Sequence, residues 1–277
     1  MRFKRTDRDA KGTQPLSLKP AGSEKLYVGW ATDVGRVRGH NEDAILILES
    51  RQEGGRDLPY CGLFVLADGM GGHRSGEVAS ALACRVVATH VAEHVHLPLL
   101  RNAEAQFDAE QVLSEAISRA HAAVASSAPG SGTTLTCALV LGKDVTLAHV
   151  GDSRAYAVSP DGLSQITRDH SLVDRLVEMG QITADEATRH PQKNVLMRAV
   201  GQGDSPEVDT HRQSIAAPGG ILLCSDGLWG LVGDAEMTRV IAEAYAPQAA
   251  CDALVTAANA AGGRDNITAI LIQSILE

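Results

Sequence analysis

Apolar positions change period several times along this chain, and the changes mark its elements. Residues 26–33, 43–49 and 61–67 read as strands, the last a continuous apolar run, CGLFVLA, that stops at Asp68-Gly69. Helical spacing follows. Val78, Leu82, Val86, Val87 and Val91 recur within 77–94, and Val112, Leu113, Ile117 and Val124 within 109–126, where Asp108 is placed to cap the first turn. After Pro129-Gly130-Ser131-Gly132 strands resume at 133–141, 145–150, 155–158 and 163–166, with Pro160-Asp161-Gly162 as a hairpin turn. A polar, partly helical insertion covers about 170–200; strands near 207–214 and 220–225, helices near 234–244 and 247–259, and a final strand near 267–275 follow. Strands, a helix pair, more strands and a second helix pair predict an α+β fold: a central β-sandwich of two mostly antiparallel sheets with helices packed outside. Regular βαβ units with a glycine-rich phosphate loop are missing from the pattern, which argues against a dinucleotide-binding fold.

Composition narrows the function. The chain has 277 residues, 44% of them hydrophobic, enough for a core without disulfide staples. No apolar run approaches the roughly 18–20 residues of a bilayer span. With 25 Lys and Arg against 34 Asp and Glu, the net charge is −9, and basic residues cluster only in the first 25 positions, which speaks against nucleic acid as a partner. Five scattered cysteines, Cys61, Cys84, Cys137, Cys224 and Cys251, form no Cys-x-x-Cys pair and read as buried thiols in a reducing cytoplasm. Residues 1–24 lack apolar periodicity and an apolar signal core, so they read as a disordered extension, or as a docking arm for an acidic partner. The folded domain is expected over 25–277.

The chemistry lies where apolar strands stop. Asp68 (FVLADGMGG), Asp152 (LAHVGDSRAY), Asp226 (ILLCSDGLWG) and Asp265 (GGRDNITAIL) each stand at such an edge, and Asn41-Glu42-Asp43 adds further acids. One Asp-Gly after a strand is an ordinary turn. Several converging carboxylates would be costly to desolvate and would repel one another, and a bound dication resolves both problems. All the candidate donors are oxygens, so Mg²⁺ or Mn²⁺ is preferred over Zn²⁺.

The ordered motifs go further. They are Val37-Arg38-Gly39-His40-Asn41-Glu42-Asp43, Asp68-Gly69-Met70-Gly71-Gly72-His73, Ser131-Gly132-Thr133-Thr134, Val150-Gly151-Asp152-Ser153-Arg154-Ala155-Tyr156, Thr167-Arg168-Asp169-His170-Ser171, Cys224-Ser225-Asp226-Gly227-Leu228-Trp229 and Arg264-Asp265-Asn266-Ile267-Thr268. In this order and spacing, across residues 26–277, they resemble the metal-dependent protein phosphatases of type 2C, the PPM family, and especially its compact bacterial members.

The resemblance implies a four-layer α/β/β/α sandwich holding two Mn²⁺ or Mg²⁺ ions, with a third, weaker ion beside them. It implies that Asp68 bridges the two ions, that Gly69 offers its carbonyl, and that Asp226 and Asp265 complete a shell. Glu42 and Asp43 match positions holding ion-bound waters, and Asp152 matches the acid that shares the third ion with Asp226. Arg38 would reach the substrate phosphate, with a plain surface residue as the alternative. His73 would protonate the leaving alkoxide, or else organise its loop. The segment 170–201 matches the flap beside the active site, with an inert surface excursion as the alternative, and Trp229 reads as a core anchor. The implied activity is a cytoplasmic, monomeric protein serine/threonine phosphatase acting on phosphoserine and phosphothreonine proteins, a cognate Ser/Thr kinase among them. Two rivals are weighed: a catalytically dead binding module, which predicts a missing ligand, and a partner-switching phosphatase, which predicts a sensor domain.

Overall fold

Side chains of β3 (Cys61–Met70) alternate between two destinations. Leu63, Val65 and Ala67 pack under helices, whereas Phe64 and Leu66 enter the space between two sheets. The same division runs through β5 (Leu135–Leu141), β10 (Gly219–Cys224) and β11 (Ile267–Ser274), where Ala138 with Val140, Ile221 with Leu223, and Ile270 with Ile272 face the other sheet. Two sheets therefore separate three apolar layers, and the four-layer arrangement expected above is the one observed.

The computed structural model describes residues 25–52, 58–71, 75–204 and 206–274. The segment 1–24, read above as a disordered extension, lies outside the described residues. One sheet joins β1 (Leu26–Asp33), β11, β10, β7 (Arg154–Ser159) and β8 (Gly162–Gln165) in that order. The other joins β2 (Asp43–Ser50), β3, β5, β6 (Asp144–Val150) and β9 (Asp209–Ser214), with β4 (Gly132–Thr133) paired to the end of β3. Every strand pairing in these orders is antiparallel. The border of β1 is covered at Trp30, where the Gln248 amide accepts from Trp30 N at 3.2 Å and donates to Trp30 O at 2.8 Å, and at Leu26, whose O accepts from Arg51 Nη2 at 2.9 Å.

Helices α1 (Ser75–Val91) and α3 (Ala109–Ser127) cover one outer face, and Asp108 caps α3 by accepting from Glu110 N and Gln111 N. Val78, expected on the apolar face of α1, is exposed; Ala79, Ala83, Cys84 and Val87 carry the buried stripe. The helical run outlasts its expected end through a π-helical turn, Ala92–His96, and α2 (Leu97–Arg101). Pro98 follows directly on the π turn, where Leu97 N–H reaches back five residues to Ala92 O, and the run continues past it. The insertion holds α4 (Leu172–Glu178) and α5 (Ala184–Arg189), and a single turn, α6 (Asp226–Trp229), follows β10. Helices α7 (Asp234–Glu243) and α8 (Pro247–Ala260) cover the second outer face. No helix among the described residues is long and apolar enough to cross a membrane. All five cysteines are buried and unpaired.

Candidate metal centre

Strand register brings the acids together. In the β2–β3 pairing Asp43 stands directly opposite Asp68. In the other sheet the end of β10 lies beside the start of β11, so Asp226, two residues past Cys224, and Asp265, two residues before Ile267, arrive at the same end of the sandwich. The two sheets are joined there. Asp43 Oδ2 accepts from Thr268 Oγ1 at 2.6 Å and from Ser225 Oγ at 2.9 Å, both from the opposite sheet or its edge.

Polar residues that the sequence reading left without roles hold the backbone of this corner. Thr134 N and Thr133 Oγ1 donate to Asp68 O at 2.8 and 2.9 Å, and Asp68 N donates to Thr134 Oγ1 at 2.9 Å. The Thr133-Thr134 pair thus clamps the Asp68 peptide from both sides. Asn266 does similar work, accepting from Glu42 N and donating to Val34 O and His40 O. Gly69 is required sterically: a Cβ there would stand 2.3 Å from Gly76 O and 2.6 Å from Glu42 O.

Burial and mutual repulsion set the electrostatics. Burial, with Asp226 and Asp265 nearby, pushes the Asp43 carboxyl up to about 7 even though two hydroxyls stabilise its anion. Asp226 rises to about 6 through burial and Asp265, and Asp152 to about 8 through burial, Asp226 and Asp169. Asp68 is raised well above the usual carboxylate range by burial and then by Asp43, Asp226, Asp152 and Asp265. Four carboxyls that resist ionisation side by side are the condition that a bound cation relieves.

The donor set fits hard dications on a second ground. Asp43 Oδ1 is buried without a hydrogen-bond partner, a cost that a bound ion or its water would remove. Among the described residues no group of three or more His, Cys, Asp or Glu side chains already stands as the shell of one ion.

The remaining predicted residues divide. Arg38 Nη2 lies 2.7 Å from Asp265 Oδ2, so it is joined to the acid set while its side chain stays half exposed. Glu42 Oε1 lies 3.3 Å from His40 Nε2. His73 lies outside the described residues. Trp229, expected in the core, is only half-buried: it borders the core under α7 and α8, while Nε1 donates to Asp152 O at 3.0 Å and its ring carries the Arg154 guanidinium at 3.6 Å.

The insertion is fastened to this frame. Arg154 forks Asp169 at 3.0 and 2.8 Å. His170 N donates to Gly151 O at 2.7 Å while its Nδ1 accepts from Gly151 N, and Ser171 caps α4. Each residue of Asp169-His170-Ser171 therefore has a separate structural task beside Asp152.

Comparison with known proteins identifies the family. Residues 37–261 match the model of the family described as protein phosphatase 2C. The serine/threonine phosphatase stp of Listeria innocua is 37% identical over 90% of this chain and 96% of its own length, and the protein phosphatase PhpP of Streptococcus pneumoniae is 33% identical over 89% and 97%. Among solved structures, the serine/threonine phosphatase Stp1 from Staphylococcus aureus superposes with a TM-score of 0.76 at 33% identity, covering 94% of this chain and all of the other. The catalytic domain of the serine threonine protein phosphatase PstP in complex with two manganese ions gives 0.72 at 32%, covering 91% and 99%. A corner of oxygen donors built from both sheets, carried on this architecture and matched along nearly the whole sequence, places the chain in the protein phosphatase 2C family.

Proposed function

We propose that this chain is a metal-dependent protein serine/threonine phosphatase whose catalytic domain spans 25–277 and whose ions sit among Asp68, Asp226 and Asp265. The single observation that carries the reading is the gathering of buried, mutually repelling carboxyls at one end of the sandwich, with Asp43 Oδ1 left unpartnered. Asp68, the Gly69 carbonyl, Asp226 and Asp265 would hold two Mn²⁺ or Mg²⁺ ions, Glu42 and Asp43 would orient their waters, and Asp152 with Asp226 would share a third, weaker ion. When bound, the cations supply Lewis acidity toward a phosphoryl oxygen and lower the pKa of water for attack on phosphorus at neutral pH.

The protein's own groups do the rest. The Arg38 guanidinium, which pairs with Asp265, would fork two phosphate oxygens of the substrate. His73 is assigned the proton that the leaving serine or threonine oxygen needs. Substrates are phosphoserine and phosphothreonine proteins, with a Ser/Thr kinase as the opposing enzyme and a substrate itself. Five reduced, buried thiols suit a cytoplasmic location, and the protein acts as a monomer. The test is hydrolysis of p-nitrophenyl phosphate and of phosphothreonine peptides with Mn²⁺: activity that EDTA abolishes and Mn²⁺ restores is expected, and turnover indifferent to chelation would refute the reading.

A further inference from the structure

Helix α6 is a single turn, yet both of its ends bear on the acids. Asp226 opens it and Trp229 closes it, and Gly230 N ties the turn by donating to Asp226 O at 2.8 Å. From the closing position Trp229 Nε1 donates to Asp152 O at 3.0 Å. Asp152 stands in the connection that leaves β6 in one sheet for β7 in the other. Its neighbours have other partners: Gly151 bonds His170 through both its N–H and its carbonyl, and Ser153 Oγ lies 2.8 Å from Thr134 Oγ1. Asp152 itself is tied to α6.

The indole is held so that its N–H keeps this direction. Arg154 lies over the ring at 3.6 Å, and that guanidinium is forked on Asp169 and donates to Tyr156 Oη at 3.1 Å. Turning the ring would displace a paired cation. Indole has one N–H and no acceptor, so the Asp152 carbonyl takes the whole of its hydrogen-bonding capacity.

We infer that Trp229 is a positioning residue: through the Asp152 carbonyl it sets where the Asp152 carboxyl stands relative to Asp226, and thereby the affinity for the weaker ion those two acids would share. The inference rests on the phosphatase reading and its third ion. Both acids line one cavity, and two like charges left free move apart. A strut that fixes them beforehand removes that rearrangement from the cost of binding.

The experiment counts Mn²⁺ bound to the full chain by equilibrium dialysis, over a range of free Mn²⁺ that separates tight ions from weak. Trp229→Phe keeps a ring for Arg154 and the core but deletes the donor. It is expected to weaken the weak ion about tenfold, the lower end of what losing an outer partner of a metal ligand costs, and to leave the tight ions unchanged. Asp152→Asn weakens the same ion, and adding Trp229→Phe to it costs far less than in the wild type; a merely structural role would cost the same in both backgrounds. The chain has two tryptophans, so Trp30→Phe leaves Trp229 as the sole indole. Its emission should change as the weak ion binds, and Asp152→Asn should shift that change to higher Mn²⁺. This arm decides even if Trp229→Phe fails to fold. Wild-type affinity for the weak ion in Trp229→Phe, equal losses in the two backgrounds, or emission indifferent to the weak ion overturns the inference. Tight, EDTA-sensitive Mn²⁺ with turnover but no weak ion in the wild type overturns it too and keeps the phosphatase; no Mn²⁺ binding at all overturns both.

Discussion

Thr268 and Asp43 belong to different sheets, and the 2.6 Å hydrogen bond from the Thr268 hydroxyl to Asp43 Oδ2 crosses the mouth of the sandwich. Apolar packing holds the sheets together elsewhere. At this end the junction is polar, and it also aims an acid toward Asp68. Thr268→Val keeps the side-chain shape and deletes the donor. It is expected to lower stability by about 1–3 kcal/mol, since a buried acceptor loses its partner, and to reduce Mn²⁺-dependent turnover. Urea unfolding midpoints and phosphatase rates check both effects.

Asp226→Asn removes a charge from a group of carboxyls that raise one another's pKa. The fold should persist, and the ion-free protein should melt no lower than the wild type. Turnover should fall more than about a hundredfold, because even residues that only orient metal ligands cost 10–100-fold when changed. Thermal melting with and without Mn²⁺, set beside kcat/KM, separates the two consequences; wild-type turnover would remove Asp226 from the ligand set.

Proton release should accompany ion binding. Asp43, Asp226 and Asp152 titrate near 7, 6 and 8 because burial disfavours their charge. Without ions, the folded protein thus holds more protons than the unfolded chain, whose aspartates titrate near about 4, so stability declines as pH rises from there through about 8. Ligands must be deprotonated to hold a cation, so apparent Mn²⁺ affinity should rise at least about tenfold from pH 6 to pH 8. Calorimetry in buffers of different ionisation enthalpy counts the protons; an affinity flat over this range contradicts the assignment.

Gly69→Ala places a methyl 2.3 Å from Gly76 O and 2.6 Å from Glu42 O. Backbone must move to admit it. A loss of about 1–3 kcal/mol is expected from the overpacking, with activity falling further because Glu42 and Asp68 shift with it. Unfolding curves and Mn²⁺-dependent rates are the measurements.

Most strands were legible because they bury a continuous or alternating apolar row, which β8 (GLSQ) and β9 (DTHRQS) do not, and the acids were legible because each stands where such a row stops. Asp108 was found as a cap from its position alone, and the structure has it accepting from Glu110 N and Gln111 N. The supporting hydroxyls and amides were not legible as such. Thr133, Thr134 and Asn266 act through backbone partners as far as 232 residues away in sequence, and nothing local distinguishes them from ordinary turn residues. Trp229 packs against the core as expected but is only half-buried, because its indole N–H needs an acceptor and takes Asp152 O at the site's edge. The one-turn helix at Asp226–Trp229 was missed because four residues carry no period.

Gln248 has an effect that reaches beyond its own helix. By filling both hydrogen-bonding groups of Trp30 on the outermost strand, it denies an incoming chain the docking rail that a bare sheet border presents. Another polypeptide could lengthen that sheet at Trp30 only by first prising the carboxamide away, and further along the same border the Arg51 guanidinium already occupies Leu26 O at 2.9 Å.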